Sequence, residues 1–415
     1  MVYIPLIYFI ILALHYYHKQ RRWSAEIAAI SVLILICLAA VIIDVKNLYG
    51  SFGCNENNLN LLGIIVFCLE WTILFQAFHI LANKPIVMPN DIGQKKKDIF
   101  IVFMFVCVLI KILFHRDAII QAMMEDPLSV KEAHYEDLED GTIPSGRNFF
   151  MYLPSLFTAT PYSTIALVWL FYGYTTRTYS TKHNLMLLFI SFAPIAISII
   201  IAGRAAIVYW TVEFYILMCL FWKDLSPKLH KLIIRTSMVF GSLIASVFFI
   251  ITVSRFEDKS PFDSVVTYMG QPLNNFCTFL SYGQNAPLQI GRIFPLTYKF
   301  QGHHFMLVQH YQQINFACDI KANVFSTFGG VVYIDLGIGA LVFLLLIMMY
   351  IVHFPLQRMQ DINLPNTIWI AIILAFFSHG LFGWPFIGHY TTGALASLLC
   401  VYIWLNYNFK FKNRI

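Results

Sequence analysis

Residues 185–222 read LMLLFISFAPIAISIIIAGRAAIVYWTVEFYILMCLFW, two apolar runs (185–202 and 205–222) that meet at Gly203 and Arg204. A helix needs roughly 17 to 25 apolar residues to cross the hydrocarbon core of a bilayer. Both runs reach that length, so the segment predicts two membrane helices with an arginine at their junction. The pattern extends in both directions. Further runs fall at 2–17, 25–43, 59–82, 98–114 and 149–174 before the pair, and at 232–253, 336–353, 366–383 and 387–405 after it. The expected fold is an all-α polytopic membrane protein with about 11 transmembrane helices. No sizeable soluble part can be cut out, so residues 1–415 read as one membrane domain.

Composition agrees. Of the 415 residues 59% are hydrophobic and 12% charged, about half the charge of an ordinary soluble domain. The first run is followed by Lys19, Arg21 and Arg22, with no basic segment before it and no small-residue cleavage site after it. It is expected to be a span rather than a cleaved signal. The net charge of +6 does not point to nucleic acid, because the basic residues flank spans. Seventeen of the 28 lysines and arginines fall on alternate connections, among them Lys95 to Lys97, Lys223 to Arg235 and Lys410 to Arg414. By the positive-inside rule these connections are cytoplasmic. The amino terminus is then outside and the carboxyl terminus inside, as an odd number of spans requires.

Two outer connections are long. Residues 115–148 are acidic, and residues 254–335 are rich in aromatics, amides and glycine. Long segments of this kind are functional or unstructured, and the aromatic content of the second argues for order. Of the eight cysteines, Cys54, Cys277 and Cys318 fall in outer segments; a Cys277 to Cys318 disulfide and free thiols are both open readings. No Cys/His spacing suits a metal.

The residues able to carry chemistry collect on the outer side. Arg204 at the tip of the 185–222 pair either fixes an anion or snorkels to lipid phosphates. Arg255 opens the long segment in VSRFEDKSP and either joins the same anion or pairs locally with Glu257 or Asp258. Arg292, in QIGRIFPLTYKFQG, is either a third anion ligand or a solvated residue. Arginine suits a diphosphate because its planar fork binds two oxygens and stays charged. Asp335 stands where the long segment meets the run at 336 and either takes a proton from a sugar hydroxyl or caps that helix. His303, His304 and His310 lie in GHHFMLVQHYQQ, apt as bases but lacking metal-ligand spacing. Tyr268 and Tyr333 are candidates for stacking on sugars or for anchoring at the interface.

The span layout, AGRAA around Arg204, the arginine after the following span, YMGQPLNN (268–275) and FSTFGGVVYIDLGIG (325–339) together resemble the Wzy-type polymerases of lipid-linked oligosaccharide repeat units, the O-antigen polymerases, which share a membrane fold with the O-antigen ligases. The motifs are short and spread over residues 185–345. The resemblance implies a GT-C-like fold in the bacterial inner membrane. It implies a metal-independent glycosyltransferase, with no cofactor, that moves a growing glycan from undecaprenyl diphosphate to the non-reducing end of a lipid-linked repeat unit on the periplasmic face. It gives Arg204, Arg255, Arg292 and Asp335 catalytic roles and makes Tyr268, Asn274, His303, Asn323 and Tyr333 substrate contacts. Its partners are undecaprenyl-diphosphate-linked oligosaccharides and the bilayer, with a chain-length regulator as a further candidate. Where the ligases carry a histidine before the asparagine, this chain has Ala322 before Asn323, which favours polymerase over ligase and leaves the base unassigned. From a different class, a lipid-linked oligosaccharide flippase would use the same cations, but it would set charges at mid-span, where Lys111 and Glu213 are among the few candidates.

Overall fold

The computed structural model describes the chain except for residues 51–53, 126–129, 131–150, 179, 202, 204, 236–237, 239–240, 243–245, 247–259, 295–306, 323, 386–388 and 412–415. Among the described residues every extended element is a helix, and the one β pairing is an isolated bridge between Ile86 and Ile362. The helices are α1 (Tyr3–Gln20), α2 (Ala25–Lys46), α3 (Leu61–Ala82), α4 (Asp91–Phe114), α5 (Arg116–Met124), α6 (Tyr152–Phe157), α7 (Thr160–Thr176), α8 (Thr181–Ser191), α9 (Ala193–Ser198), α10 (Ala205–Phe221), α11 (Pro261–Tyr282), α12 (Leu307–Cys318), α13 (Phe328–Ile351), α14 (Thr367–Gly380) and α15 (His389–Phe411).

Four of these have the length and apolarity to cross a membrane: α2, α3, the stretch Ala205–Asp224 that begins with α10, and the stretch Phe328–Leu356 that begins with α13. A fifth is added if α4 and α5, bent by 54° at His115, count as one span. The chain is thus an all-α protein with membrane-spanning character. Several expected spans are built differently from the continuous runs they present in sequence. Residues 149–174 hold two helices, α6 and α7, parted at Thr158 and Ala159, with Pro161 in the first turn of α7. Residues 185–202 break into α8, α9 and a tight turn at Ile199–Ile201, because Pro194 in the first turn of α9 has no N–H to continue the ladder. The 254–335 segment contains α11, 22 residues long, and α12.

The chain forms two compact units. The first comprises Met1–Asn83, Phe256–Arg358 and Phe376–His389. Here α11 lies backbone to backbone on α2: a Cβ on Gly270 would stand 2.6 Å from the Ala40 nitrogen. Gly63 of α3 is equally closed off, since its Cβ would meet the Cys277 sulfur at 2.8 Å. Polar ties fix the ends. Lys46 pairs with Asp263 at 2.6 Å, and Asn60, the N-cap of α3, donates to the Cys277 carbonyl and the Ser281 hydroxyl. Trp71 forms the aromatic centre, edge-on to Phe67, Phe328 and Phe377.

The second unit comprises Lys84–Arg255, Met359–Ala375 and Tyr390–Ile415. Its core is α7, on which fourteen residues are buried. Trp169 donates to Thr367 at 2.8 Å and Tyr162 meets Ser397 at 2.7 Å, so α14 and α15 are pinned to it. Both mid-span charges noted from the sequence are satisfied here: Lys111 donates to Ser155, and Glu213 accepts from Thr164 through both oxygens.

Candidate functional site

The start of α13 lies deep in the first unit. Thr327 is the N-cap, accepting from the Gly330 nitrogen at 3.3 Å. The Thr327 hydroxyl in turn donates to Glu70, a fully buried carboxylate from α3 that also accepts from the Gly329 nitrogen. A carboxylate belongs there, because the first turn of a helix exposes unpaired N–H groups and the positive end of its dipole. Gly329 is required by this contact, since a Cβ would lie 2.5 Å from Glu70 Oε2.

Two turns on, α13 is broken. Gly337 has φ +81° and ψ −179°, a conformation essentially confined to glycine. The break releases the Asp335 carbonyl from the helix ladder, and the Gln289 nitrogen donates to it at 2.9 Å. The Asp335 side chain gathers two partners from the long segment, a guanidinium and an imidazole. Arg292 grips it with both arms of its fork, Nε to Oδ2 at 2.6 Å and Nη2 to Oδ1 at 2.7 Å. His310 Nε2 lies 3.1 Å from Oδ1. All three residues are sealed from solvent, with exposures of 4%, 1% and 0% for Arg292, His310 and Asp335.

Burial alone would favour the neutral form of Arg292. Burial is the largest single effect, but the Asp335 charge, the Tyr311 phenol and the hydrogen bonds to both together outweigh it, and the guanidinium is held above its ordinary range. The guanidinium also lies over the Tyr311 ring at 5.3 Å. Around the trio, Ile293 packs with Val331 and Val332, and Trp384 donates to the Ile293 carbonyl, which keeps the Arg292 turn in place.

Of the residues expected to act, the structure joins Arg292 to Asp335. It rules out the cap for Asp335: helix α13 begins at Phe328 rather than at 336, Thr327 is its cap, and Asp335 lies inside the element. Tyr333, two residues earlier, is buried and donates to the Leu280 carbonyl, and Tyr268 leans on the Phe325 ring. Asn274 is buried in an amide lattice. It donates to the Cys54 sulfur and the Asn55 carbonyl, while Asn275 accepts from Asn55 and donates to the Phe325 carbonyl. Asn55 also exchanges hydrogen bonds with the Lys321 backbone, so the amides of α11 and Asn55 tie residues 54–55 to Lys321 and Phe325. Arg204, Arg255, His303 and Asn323 lie outside the described residues. All eight cysteines, Cys277 and Cys318 included, are free thiols.

The sequence marks His310 only as one of three histidines apt as bases, and nothing there joins it to Asp335. A usable signal was its spacing: His310, Ile314 and Cys318 recur every four residues and form the buried face of α12. A histidine in an apolar stripe asks for a buried carboxylate. His310 Nε2 faces Asp335, so the carboxylate orients the imidazole, the pairing that sets up a general base. Comparison with protein-family models, with curated proteins and with solved structures gives no match for this chain.

Proposed function

We propose that the chain is a membrane glycosyltransferase of about eleven spans that polymerises oligosaccharide repeat units carried on undecaprenyl diphosphate, at the periplasmic face of a bacterial inner membrane. The observation that carries the proposal is the buried Arg292–Asp335–His310 trio at the break in a membrane helix. Ionisable groups sealed inside a membrane protein are costly and are kept for function.

In this reading Asp335 orients His310, and the Arg292 fork fixes the Asp335 carboxylate in place. The hydroxyl of the acceptor sugar gives its proton to His310 Nδ1 as its oxygen bonds to the donor's anomeric carbon. The bond from that carbon to the diphosphate breaks, and the lipid diphosphate leaves with the electron pair. Arginines are the fitting counter-charge for that leaving group, and Arg204 and Arg255 keep the role their sequence context suggests. Arg292 differs from them, because its fork is already filled by Asp335.

Purified protein given undecaprenyl-diphosphate-linked repeat units and no other enzyme is expected to yield a ladder of multimers with release of the lipid diphosphate. Unchanged monomers overturn the proposal. The broken span also favours a second reading, since discontinuous helices line the substrate sites of transporters. In proteoliposomes a flippase would move labelled lipid-linked units across the bilayer without lengthening them.

A further inference from the structure

At one corner of the first unit, where α1 turns into α2, three acceptor atoms are enclosed by protein and have no hydrogen-bond partner: Gln20 Oε1, Ser24 Oγ and Glu26 Oε2. The local sequence does not account for them. Ser24 is the N-cap of α2, extended at φ −131° and ψ 169°, yet its hydroxyl makes no capping bond. A serine in that position ordinarily accepts from the first turn. Glu26 sits in that first turn with no exposed surface. Its Oε1 accepts from Gln20 Nε2 and from His79 Nδ1 of α3, the latter at 2.9 Å. Both donors serve one oxygen, and the other is left.

The Gln20 amide touches the Glu26 carboxylate, Ser24 stands two residues before Glu26, and buried acceptors left without donors call for a cation. A carboxylate, a hydroxyl and an amide oxygen are hard ligands with a single negative charge among them, the set an alkali metal ion takes. Softer metals prefer nitrogen and sulfur, and among the described residues no three His, Cys, Asp or Glu side chains come together. Lys19, Arg21 and Arg22 are exposed on the same turn. Their repulsion scales with the charge of the guest, so it weighs twice as heavily on a divalent ion.

We infer that Gln20 Oε1, Ser24 Oγ and Glu26 Oε2 bind a monovalent metal cation of the sodium class, with His79 holding the carboxylate in position. The bound ion ties α1 to the start of α2 and, through His79, to the end of α3. It completes the coordination of three buried oxygens in one step. This site is separate from the Arg292 trio and does not rest on the glycosyltransferase reading.

The test uses the full chain in detergent and radioactive ²²Na⁺ as probe. One saturable sodium per chain is expected. Glu26→Gln removes the charge at nearly constant shape and should weaken binding by about tenfold or more. Ser24→Ala removes one neutral ligand and should weaken it several-fold, which keeps the test decisive if the first variant does not fold. Sodium should also raise the unfolding temperature above that in choline chloride of equal ionic strength. The inference is overturned if no saturable binding is seen, if both variants bind as well as the parent, or if choline stabilises equally.

Discussion

Asp335 has no exposed surface, and inside the protein it is paired with Arg292 and hydrogen-bonded to His310. Removing one member of such a pair strands the other and costs about 3–5 kcal/mol, whereas replacing both with apolar residues costs far less. Arg292→Met and Asp335→Leu are each expected to lower the unfolding temperature steeply, and the double variant to recover most of the loss. Additive losses would show that the pair is not coupled. Cys54 offers a test through pH. Burial pushes its thiol up to about 12, against the smaller opposing pulls of the Asn274 hydrogen bond and Lys321. A raised pKa keeps the thiolate scarce at neutral pH, so alkylation of Cys54 should keep accelerating through pH 10; a plateau near pH 9, followed by mass spectrometry, would refute it. Asp335 was legible from sequence as a candidate, but its role was not. Whether a carboxylate caps a helix or lies within it depends on where the helix starts, and that start was set by Thr327 and by Glu70, far away in the chain.

Helices α2, α3 and α10 follow directly from apolar length, and their positions were readable to within a few residues. Elements placed by tertiary contact were not. Helix α11 carries Pro272 and a row of buried amides, a composition that reads as a loop, and it is a helix because its small and polar residues fit against α2 and the 54–55 turn. The glycines separate the two kinds of information. Gly270→Ala forces two backbones apart and should cost at least about 1–3 kcal/mol. Gly337→Ala puts a side chain into a glycine-only conformation and should cost about 1–3 kcal/mol as well. Gly339, two residues later, has open space around its missing Cβ. Gly339→Ala should leave stability unchanged or raise it by up to about 1 kcal/mol through helix propensity. Unfolding of the three variants in one detergent decides the matter, and equal losses would refute the assignment of the break to Gly337.

For the whole chain, the distribution of lysine and arginine carries the strongest expectation: the two termini lie on opposite sides of the membrane. Fusing a reporter that is active only in the periplasm to each terminus should give signal at the amino end alone, and signal at both or neither would refute an odd number of crossings. The pattern of charge was legible without the fold, whereas the meeting of residues 292, 310 and 335 was not, since it depends on how the long segment folds back onto α13. The amide lattice of Asn55, Asn274 and Asn275 bears on how any future activity should be interpreted. Asparagine has no proton to gain or lose in the biological range. The amide hydrogen bonds that tie Asn55, Lys321 and Phe325 to α11 are therefore a pH-blind frame. A bell-shaped or sigmoidal rate profile recorded on this protein would then report the ionisation of the reacting groups themselves, and not the gradual loosening of the frame around them.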